Sequence, residues 1–585
     1  MRRALAVVVA ATVLAIGPAA PGQAARQFTF YGAGWGHGLG LSQWGAYGLS
    51  LKGWSYTRIL GHFYTGTTVG AARSSPKTLR IGLVQAQRTI HVKAVRGPVE
   101  LRVGSPNTGA LVGGQAIPAG ETWRIRAHSS GRYRVLNAQG EMVGDCPGCP
   151  GHLWGGVNRH LYARYAPLGS IVYSPQAGHS YNRGNIEFNV YKGDGCPSSY
   201  CVRLVIRLSP QAYLFGLAEV PNSWPANARK AQAVAARTYA FEKVARVGQR
   251  RARCNCGLYD DTSDQVYAGW DKEGSYLGGQ WVESVRQTVG EVALYKGSPI
   301  QAYYHSSSGG HTEHNENAWG GQPIPYLRGV CDPGDFAEAN PNRVWTAGPL
   351  SGSTVTTKLR PYTGDIGNVT EFGRIQRGVS GQIIELTVIG RGGTASISGS
   401  NLARALGLKG DKVWINVNHT VTGQIRREYD RRMCAPGPAI SKQAVVPGGL
   451  RQRFQRGSMY ENTGRNLTVW LRGPINVKYG ELKGARGFLG LPRSAIKPLT
   501  GPKGCRSTTC RKVLFEHGSI YFKDQDGVGA HELHGLVLGY FLNNNGPKGR
   551  FGFPTSDVIL HEDGGTSATF ESGSISCSKS GECSG

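Results

Sequence analysis

Glycine is the feature that most limits what this chain can form. It supplies 86 of the 585 residues, and segments with the apolar period of an amphipathic helix are scarce. Short alternating runs, such as residues 79–84 and 123–126, stand between turn residues instead. This pattern is typical of strands and turns. We therefore predict a β-rich α+β fold with few helices, and the length favours three or four domains at roughly 150 residues each.

The first 25 residues have the pattern of a signal peptide. Arg2 and Arg3 precede an apolar run over 4–16, and small residues end the segment at Ala24 and Ala25. The apolar run is too short to span a bilayer comfortably, and no later stretch approaches about 18 uncharged apolar residues. We expect a secreted protein that is associated with the cell wall and has no transmembrane segment.

Twelve cysteines agree with export, because most of them lie close together in pairs. The two remaining residues, Cys331 and Cys434, are expected to close a long loop at the end of the main domain. A zinc site at Cys146 and Cys149 is the alternative for one pair, but a second CxxC at ribbon spacing is missing. Pairing of Cys254 with Cys256 is the weakest expectation, because so short a loop would be strained. The expected local pairs are Cys146/Cys149, Cys196/Cys201, Cys254/Cys256, Cys505/Cys510 and Cys577/Cys583.

The formal net charge is +29. Export removes nucleic acid as the expected partner, although such a charge would suggest it inside a cell. Outside the cell, anionic cell-wall polymers would be attracted by this charge at low salt. Solubility alone is an equal alternative, and the composition does not choose between them.

The strongest helix pattern begins at Pro225 and continues to Arg246. Ala228, Ala231 and Ala235 form a narrow stripe of small residues with Tyr239, which predicts close packing against backbone, with Gln232 and Arg237 on neighbouring faces. Two weaker helices are predicted. One lies within 281–289, and the other covers 400–406 with Ser400 as its cap.

Glu219 lies where a strand gives way to this helix, between apolar neighbours at 217–218 and 220–221. Such neighbours would desolvate the carboxylate and raise its pKa, as a general acid requires. The alternative is a carboxylate that only stabilises the helix N-terminus through the helix dipole. The local sequence leaves both open.

The C-terminal part repeats itself after a segment with linker composition at 435–450. The patterns FQRGS (454–458), FEHGS (515–519) and FESGS (570–574) resemble one another, and FLGLP (488–492) recurs as FGFP (551–554). A period near 60 residues is typical of a repeat array whose units bury their faces on each other. Such arrays bind more often than they catalyse.

Four motifs together resemble the family of stage II sporulation protein D and the LytB amidase enhancer, SpoIID. The first three are the segment from AEVPNSWP (218–225) to Tyr239, DTSDQVY (261–267), and YHSSSGGHT (304–312) with Trp319. The fourth is the box GHGLGLSQ (36–43), which we call the Gly-His-Gly box. In sporulation members the box closes the domain, whereas here it opens it, so the order looks permuted. We therefore expect residues 28–31 to pair beside the strand that ends near Val417.

This resemblance implies a peptidoglycan lytic transglycosylase with Glu219 as the catalytic residue. Glu219 would act first as acid and then as base, so that the MurNAc C6 hydroxyl closes a 1,6-anhydro ring without a water nucleophile. Asp264 is the nearest candidate for the second carboxylate that hydrolysis would need. The amidase-enhancer branch implies a different role, a non-catalytic protein that binds and assists a cell-wall amidase.

The motifs also supply candidate contacts to a glycan strand. Trp35, Trp224 or Trp319 would stack on sugar rings, while for each polar residue a loop-holding hydrogen bond is the alternative. No cofactor and no metal are expected, since residues 261–264 offer no cysteine. The predicted substrate-binding residues are His37, Ser42, Gln43, Gln232, Asp264, Gln265, Ser308, Gly309, Thr312 and Trp319.

The predicted organisation follows from these patterns. A SpoIID-like domain covers 26–434 and contains a small all-β module at 77–143. The linker at 435–450 then leads to a β-rich repeat domain at 451–585, which resembles LGFP repeats and implies anchoring to the cell wall.

Overall fold

The computed structural model describes residues 26–144, 152–193, 195–196, 200–502, 505–506 and 509–585. The predicted signal peptide and the Cys146/Cys149 pair lie outside these residues. In the part that is described, no helix is both long and apolar enough to cross a membrane.

Helices are more numerous than the sequence patterns suggested, because most of them are short and end at glycine or turn residues. Twelve α-helices occur in the described residues: α1 (Gln43–Leu51), α2 (Tyr56–Phe63), α3 (Pro210–Phe215), α4 (Ala226–Val247), α5 (Trp270–Glu273), α6 (Gly278–Arg286), α7 (Asn315–Trp319), α8 (Gly352–Thr363), α9 (Gly399–Leu406), α10 (Gly423–Arg431), α11 (Gly473–Glu481) and α12 (Gly535–Asn543).

Strands dominate the rest of the structure, as predicted. Up to position 305 they are β1 (Gln27–Gly32), β2 (Leu41–Ser42), β3 (Thr68–Ala71), β4 (Leu79–Gln87), β5 (Thr89–Arg96), β6 (Glu100–Val103), β7 (Ala110–Leu111), β8 (Thr122–Ala127), β9 (Tyr133–Leu136), β10 (Leu161–Arg164), β11 (Ile171–Ser174), β12 (His179–Tyr181), β13 (Asn185–Tyr191), β14 (Cys201–Leu208), β15 (Leu258–Tyr259), β16 (Glu291–Tyr295), β17 (Ser298–Pro299) and β18 (Tyr304–His305). Beyond it they are β19 (Trp345–Ser351), β20 (Val369–Arg377), β21 (Ile383–Gly390), β22 (Gly393–Ser398), β23 (Val413–Ile415), β24 (Ala444–Val446), β25 (Gly449–Phe454), β26 (Gly457–Asn462), β27 (Leu467–Leu471), β28 (Lys497–Pro498), β29 (Cys510–Leu514), β30 (Ser519–Lys523), β31 (Gly529–Leu533), β32 (Ile559–Leu560), β33 (Thr566–Phe570), β34 (Gly573–Cys577) and β35 (Cys583–Ser584).

The strands of the predicted module at 77–143 do not form sheets by themselves. β4, β6 and β7 join a seven-stranded sheet in the order β15-β4-β14-β13-β10-β6-β7. β5, β8 and β9 join a five-stranded sheet in the order β12-β11-β5-β8-β9. Leu79 and Trp123 from these strands share one apolar core with Ala231 of α4. The β-rich region therefore extends to residue 208 and is continuous with the core around α4, because apolar faces of these strands need partners beyond the module.

Residues 28–31 lie beside the strand that ends near Val417, as the permuted motif order predicted. β1 lies between β19 and β23, and Phe30 is opposite Ile415 in an antiparallel pair. The disulfide between Cys331 and Cys434 closes the predicted long loop. Cys254 is bonded to Cys256 despite the short loop, and the pairs at 196/201, 505/510 and 577/583 are also present.

Helix α4 begins at Ala226, one residue after the predicted start at Pro225, which lies at the N-cap position, and Gly248 follows the last helical residue with a positive φ of 78°. The predicted narrow stripe is wrong, because more than half of the helix is buried. Gln232 and Arg237 are only 1% and 2% exposed. The N-cap of α9 lies two residues earlier than predicted. The side chain of Ser398 accepts from Asn401 N, and Ser400 is already helical.

Three four-stranded sheets form the C-terminal part, and each contains one copy of the repeated phenylalanine pattern. Glu516 Oε2 accepts from Leu491 N at 2.8 Å, and Glu571 Oε2 accepts from Phe553 N at the same distance. The repeated sequence thus produces a repeated contact. The predicted linker at 435–450 supplies β24 to the first sheet, where Val445 pairs with Leu450 of β25.

Candidate functional site

Glu219 is held by two hydrogen bonds that converge on one carboxylate oxygen. Oε1 accepts from Val266 N at 2.7 Å and from the Tyr304 hydroxyl at 2.9 Å. Ala218 N donates to Val266 O at 2.8 Å, which fixes the 261–267 motif alongside the glutamate. One backbone N–H and one side-chain hydroxyl therefore fix the orientation of the carboxylate.

Burial raises the pKa of Glu219 above its ordinary value. Hydrogen bonds from Val266, Tyr304 and Gln43, together with the charge of Lys272, act in the opposite direction. Desolvation is the largest of these effects, so a proton is held more tightly than on a free glutamate. This is the property that a general acid needs.

The Gly-His-Gly box lies beside Glu219, as its place in the motif set predicted. Gln43 Nε2 donates to Glu219 O at 3.2 Å. β2 pairs in parallel with β18, so that Leu41 is opposite Tyr304 and Ser42 is opposite His305. Gly40 allows this approach, since a Cβ there would come within 2.2 Å of Tyr303 O at a φ of 64°.

Several predicted substrate contacts point into the protein instead. Ser42 is fully buried, caps α1 through Gly45 N and donates to Asp335 Oδ1 at 3.2 Å. Ser308 donates to Asp332 Oδ2 at 2.7 Å, and Thr312 exchanges hydrogen bonds with Val330. These side chains hold loops together. Membership of a motif does not determine which way a loop side chain points.

His37 is also occupied by local contacts. Leu39 N donates to its Nδ1 at 3.0 Å, and the backbone of Tyr304 forms a further hydrogen bond with the ring. Burial lowers the pKa of His37 to about 4, so the ring is neutral at physiological pH. Its ring lies 4.8 Å from that of Trp319, which connects the box to an exposed aromatic side chain.

Asp264 does not offer a free carboxylate. Its side chain is 1% exposed and lies 3.0 Å from both Lys243 Nζ and Arg251 Nη2. The Tyr239 hydroxyl and Tyr259 N donate to it as well, each at 2.9 Å. Such a set of donors satisfies a buried charge completely and makes it structural.

The remaining predicted residues differ in burial and in hydrogen bonding. Gln265 is fully buried and bonds Tyr304, whereas Gln232 is buried with no hydrogen-bond partner in the described residues. Gly309 has a positive φ of 63°, and a Cβ there would be 2.7 Å from Ala33. Trp224 is only 6% exposed, so its predicted stacking on sugars is wrong, while Trp35 and Trp319 are 51% and 52% exposed.

An open cleft of about 420 Å³ adjoins Glu219. Asn222, Asp271, Lys272 and Ser275 line it with the glutamate, and none of these four is a predicted site residue, although Asn222 lies within the AEVPNSWP motif. Lys272 is 7% exposed, and burial lowers its pKa to about 8. Residues 268–276 carry no recognisable motif. Their role could be inferred only from their position beside Glu219, which the folded structure shows. A larger cleft of about 700 Å³ near Arg73 and Phe241 contains none of the predicted site residues.

Known proteins match the part of the chain that contains this site. Residues 202–295 match the family described as SpoIID, stage II sporulation protein. An uncharacterised protein of Brachyspira hyodysenteriae is 32% identical over 199 residues, which are 33% of this chain and 49% of that protein. The amidase enhancer of Bacillus subtilis is 36% identical over 145 residues, or 25% of this chain and 17% of the relative.

Stage II sporulation protein D of Bacillus amyloliquefaciens is 32% identical over 135 residues, which are 21% of this chain and 39% of the relative. The chain thus spans less than half the length of each of these curated relatives. The matched residues include Glu219, the whole of α4 and the 261–267 motif. The region of this chain that holds Glu219 therefore matches the SpoIID family.

Proposed function

We propose that this protein is an exported peptidoglycan lytic transglycosylase that cleaves the bond between MurNAc and GlcNAc. The observation that carries the proposal is the carboxylate of Glu219, which is desolvated, held by Val266 and Tyr304, and adjacent to an open cleft. Burial raises the pKa of this carboxyl group, which suits the donation of a proton.

The reaction needs one group to act twice. Protonated Glu219 gives its proton to the glycosidic oxygen as the bond from that oxygen to MurNAc C1 breaks. The MurNAc C6 hydroxyl then attacks C1, and the carboxylate takes the hydroxyl proton. The products are a 1,6-anhydro-MurNAc end and a free GlcNAc hydroxyl, so no water is consumed and Glu219 ends protonated.

The carboxylates around Glu219 favour this reaction over hydrolysis. A hydrolase of the two-carboxylate type needs a second acid group that can reach the sugar. Asp264 is buried between two cations, and Asp271 in the cleft already accepts from His179 and from Ser180 N. A mechanism with one carboxylate requires neither Asp264 nor Asp271.

The test is the product formed from purified peptidoglycan. We expect mass spectrometry to detect anhydro-MurNAc ends with the wild-type protein and none with Glu219→Gln. Intact and peptide-free glycan strands should both be supplied, because either could be the substrate. Reducing MurNAc ends would instead indicate hydrolysis, with Asp271→Asn as the variant to examine next.

A second candidate function is supported by the similarity to a protein named amidase enhancer. In that case the cleft binds glycan without cutting it, and a separate cell-wall amidase is the partner. Absence of products from both substrates, together with faster release of stem peptides when a cell-wall amidase is added, would favour this role. The repeats would then serve to hold the protein to the wall, as in the enzyme proposal, with anionic wall polymers as candidate ligands.

A further inference from the structure

Four side chains form a hydrogen-bonded chain that ends on Glu219. The Tyr213 hydroxyl donates to Gln265 Oε1 at 3.1 Å, and Gln265 Nε2 donates to the Tyr304 hydroxyl oxygen at 2.9 Å. Tyr304 in turn donates to Glu219 Oε1 at 2.9 Å. Tyr213 and Gln265 are fully buried.

The direction of this chain is determined by the groups themselves. Gln265 Nε2 also donates to Ala236 O at 3.2 Å, and a carbonyl oxygen can only accept, so the amide cannot be turned round. Burial raises the pKa of Tyr304 well above its ordinary value, which keeps its hydroxyl protonated. Tyr304 therefore receives from Gln265 and gives to Glu219.

Glu219 Oε1 consequently has no room for a proton of its own. A carboxyl oxygen offers two in-plane lone pairs, and here Val266 N and the Tyr304 hydroxyl occupy both. When the group is neutral, its proton must lie on Oε2. The two oxygens of one carboxylate thus have separate tasks.

Tyr304 is itself held by the Gly-His-Gly box. It lies on β18, which pairs with β2 of the box, and Leu41 N donates to the neighbouring Tyr303 O at 3.1 Å. Gly40 makes this contact close, and His37 contacts the backbone of Tyr304. The box therefore reaches the site in two ways, through Tyr304 and through the hydrogen bond from Gln43 Nε2 to Glu219 O.

We propose that Tyr304 is the positioning residue of Glu219, and that the Gly-His-Gly box holds Tyr304 so that the reacting proton is given and taken at Oε2. The identity of the reaction rests on the proposed function. The positioning of the carboxylate does not.

Removal of the Tyr304 hydroxyl should change the titration of Glu219. The charged or titratable groups that face the carboxylate are Tyr304 from β18, Lys272 from α5 and Tyr213 from α3. Tyr304 donates to the ionised form, so its loss raises the pKa of Glu219 further. A hydrogen bond to a charged group corresponds to a shift of about one to two pH units.

The experiment compares full-length wild type with Tyr304→Phe. The carboxyl ¹³C signal of Glu219 is assigned by its disappearance in Glu219→Gln and is then titrated. We expect the pKa to rise by about one unit or more in Tyr304→Phe, and the alkaline limb of the kcat/KM profile to move to higher pH by the same amount. Tyr326→Phe is the matched control, because the Tyr326 hydroxyl accepts from Gln301 N and does not reach Glu219.

Gln265 provides a second variant. Gln265→Leu should shift the pKa of Glu219 in the wild-type background but not in Tyr304→Phe, since Gln265 acts through Tyr304. An unchanged pKa in a folded Tyr304→Phe protein, or additive effects of the two substitutions, would overturn the positioning role. A shifted pKa in a protein whose wild type yields no glycan products would overturn the reaction and leave the positioning intact.

Discussion

Lys272 Nζ donates to the carbonyl oxygen of Val220, the residue that follows Glu219, at 2.5 Å. Lys272 is almost completely buried, and its Nζ lies 5.1 Å from the centre of the Trp281 ring. A buried cation with a backbone oxygen as its partner costs free energy. The nearby carboxylate of Glu219 partly offsets that cost, since it raises the pKa of Lys272 against the effect of burial.

Lys272→Met should therefore raise the pKa of Glu219. The charge of Lys272 stabilises the ionised carboxylate, and methionine fills a similar volume without that charge. We expect the alkaline limb of the activity profile to move upward by about half to one pH unit, as for a partly screened pair. Lys272→Arg retains the charge and should leave the limb within about 0.3 units of wild type. A limb that moves downward in Lys272→Met would contradict this interpretation.

Asp264→Asn should lower the free energy of unfolding, because Asp264 has a structural role. The substitution leaves Lys243 and Arg251 facing a neutral amide in a buried position. Loss of one partner from a buried ion pair costs about 3 kcal/mol, measurable by urea unfolding followed by tryptophan fluorescence. Asp365→Asn is the control, because Asp365 pairs with Arg360 at the surface and its loss should change the free energy of unfolding little. If Asp264→Asn unfolds like wild type but loses all activity, Asp264 is a catalytic group after all.

Stability should fall as pH rises through the titration of the buried pair Asp332 and Asp335. Burial raises the pKa of both, and the charge of Asp332 helps to raise that of Asp335 to about 7. Between about pH 4, where an unfolded aspartate loses its proton, and about pH 7, the folded protein retains a proton that the unfolded chain releases. The contribution to stability is thus present at acid pH and is lost as the pH approaches 7.

Asp335→Asn removes the part of that dependence that Asp335 itself contributes, while Asp332 remains buried. Its oxygen can still accept from Ser42 and Ser308 N, and the Ser307 hydroxyl can rotate to accept from the new amide. We expect the Tm of wild type to fall more steeply between about pH 4 and pH 7 than that of the variant, with a difference of up to about 1.4 kcal/mol per pH unit in the free energy of unfolding. Parallel Tm curves would show that the pair does not titrate in this range.

Local signals explain what the sequence could predict. Pro225 and the alanine-rich segment after it predicted the start of α4 to within one residue, because both effects act within one turn of helix. The pairing of residues 28–31 near Val417 was also predictable, since the motif set required the box to return to the same site. Both predictions used information carried by neighbouring or matched residues.

Side-chain direction in glycine-rich loops could not be predicted in the same way. No periodic pattern surrounds Ser42, Ser308 or Thr312. Their hydrogen-bond partners are Asp335, Asp332 and Val330, which no motif identifies. Lys272 reaches Glu219 because Leu217 bridges Tyr267 and thereby brings residues 268–276 alongside. Contacts of this kind are set by tertiary packing, and no local pattern records them.

Trp319 should bind the glycan strand in the reaction that we propose. Its side chain is 52% exposed, yet its ring is fixed by His37 at 4.8 Å and by Tyr303 at 4.7 Å. A ring held in this way can stack on a sugar at little cost in conformational entropy. Trp319→Ala should raise KM about tenfold, equivalent to about 1.4 kcal/mol, with a smaller effect on kcat because Trp319 does not touch Glu219. Trp319→Phe retains a flat ring and should recover most of the affinity, as measured by titration of soluble glycan fragments into Glu219→Gln. Equal loss of affinity in both variants would mean that the indole ring acts through a specific polar contact, and unchanged affinity in Trp319→Ala would remove Trp319 from the binding surface.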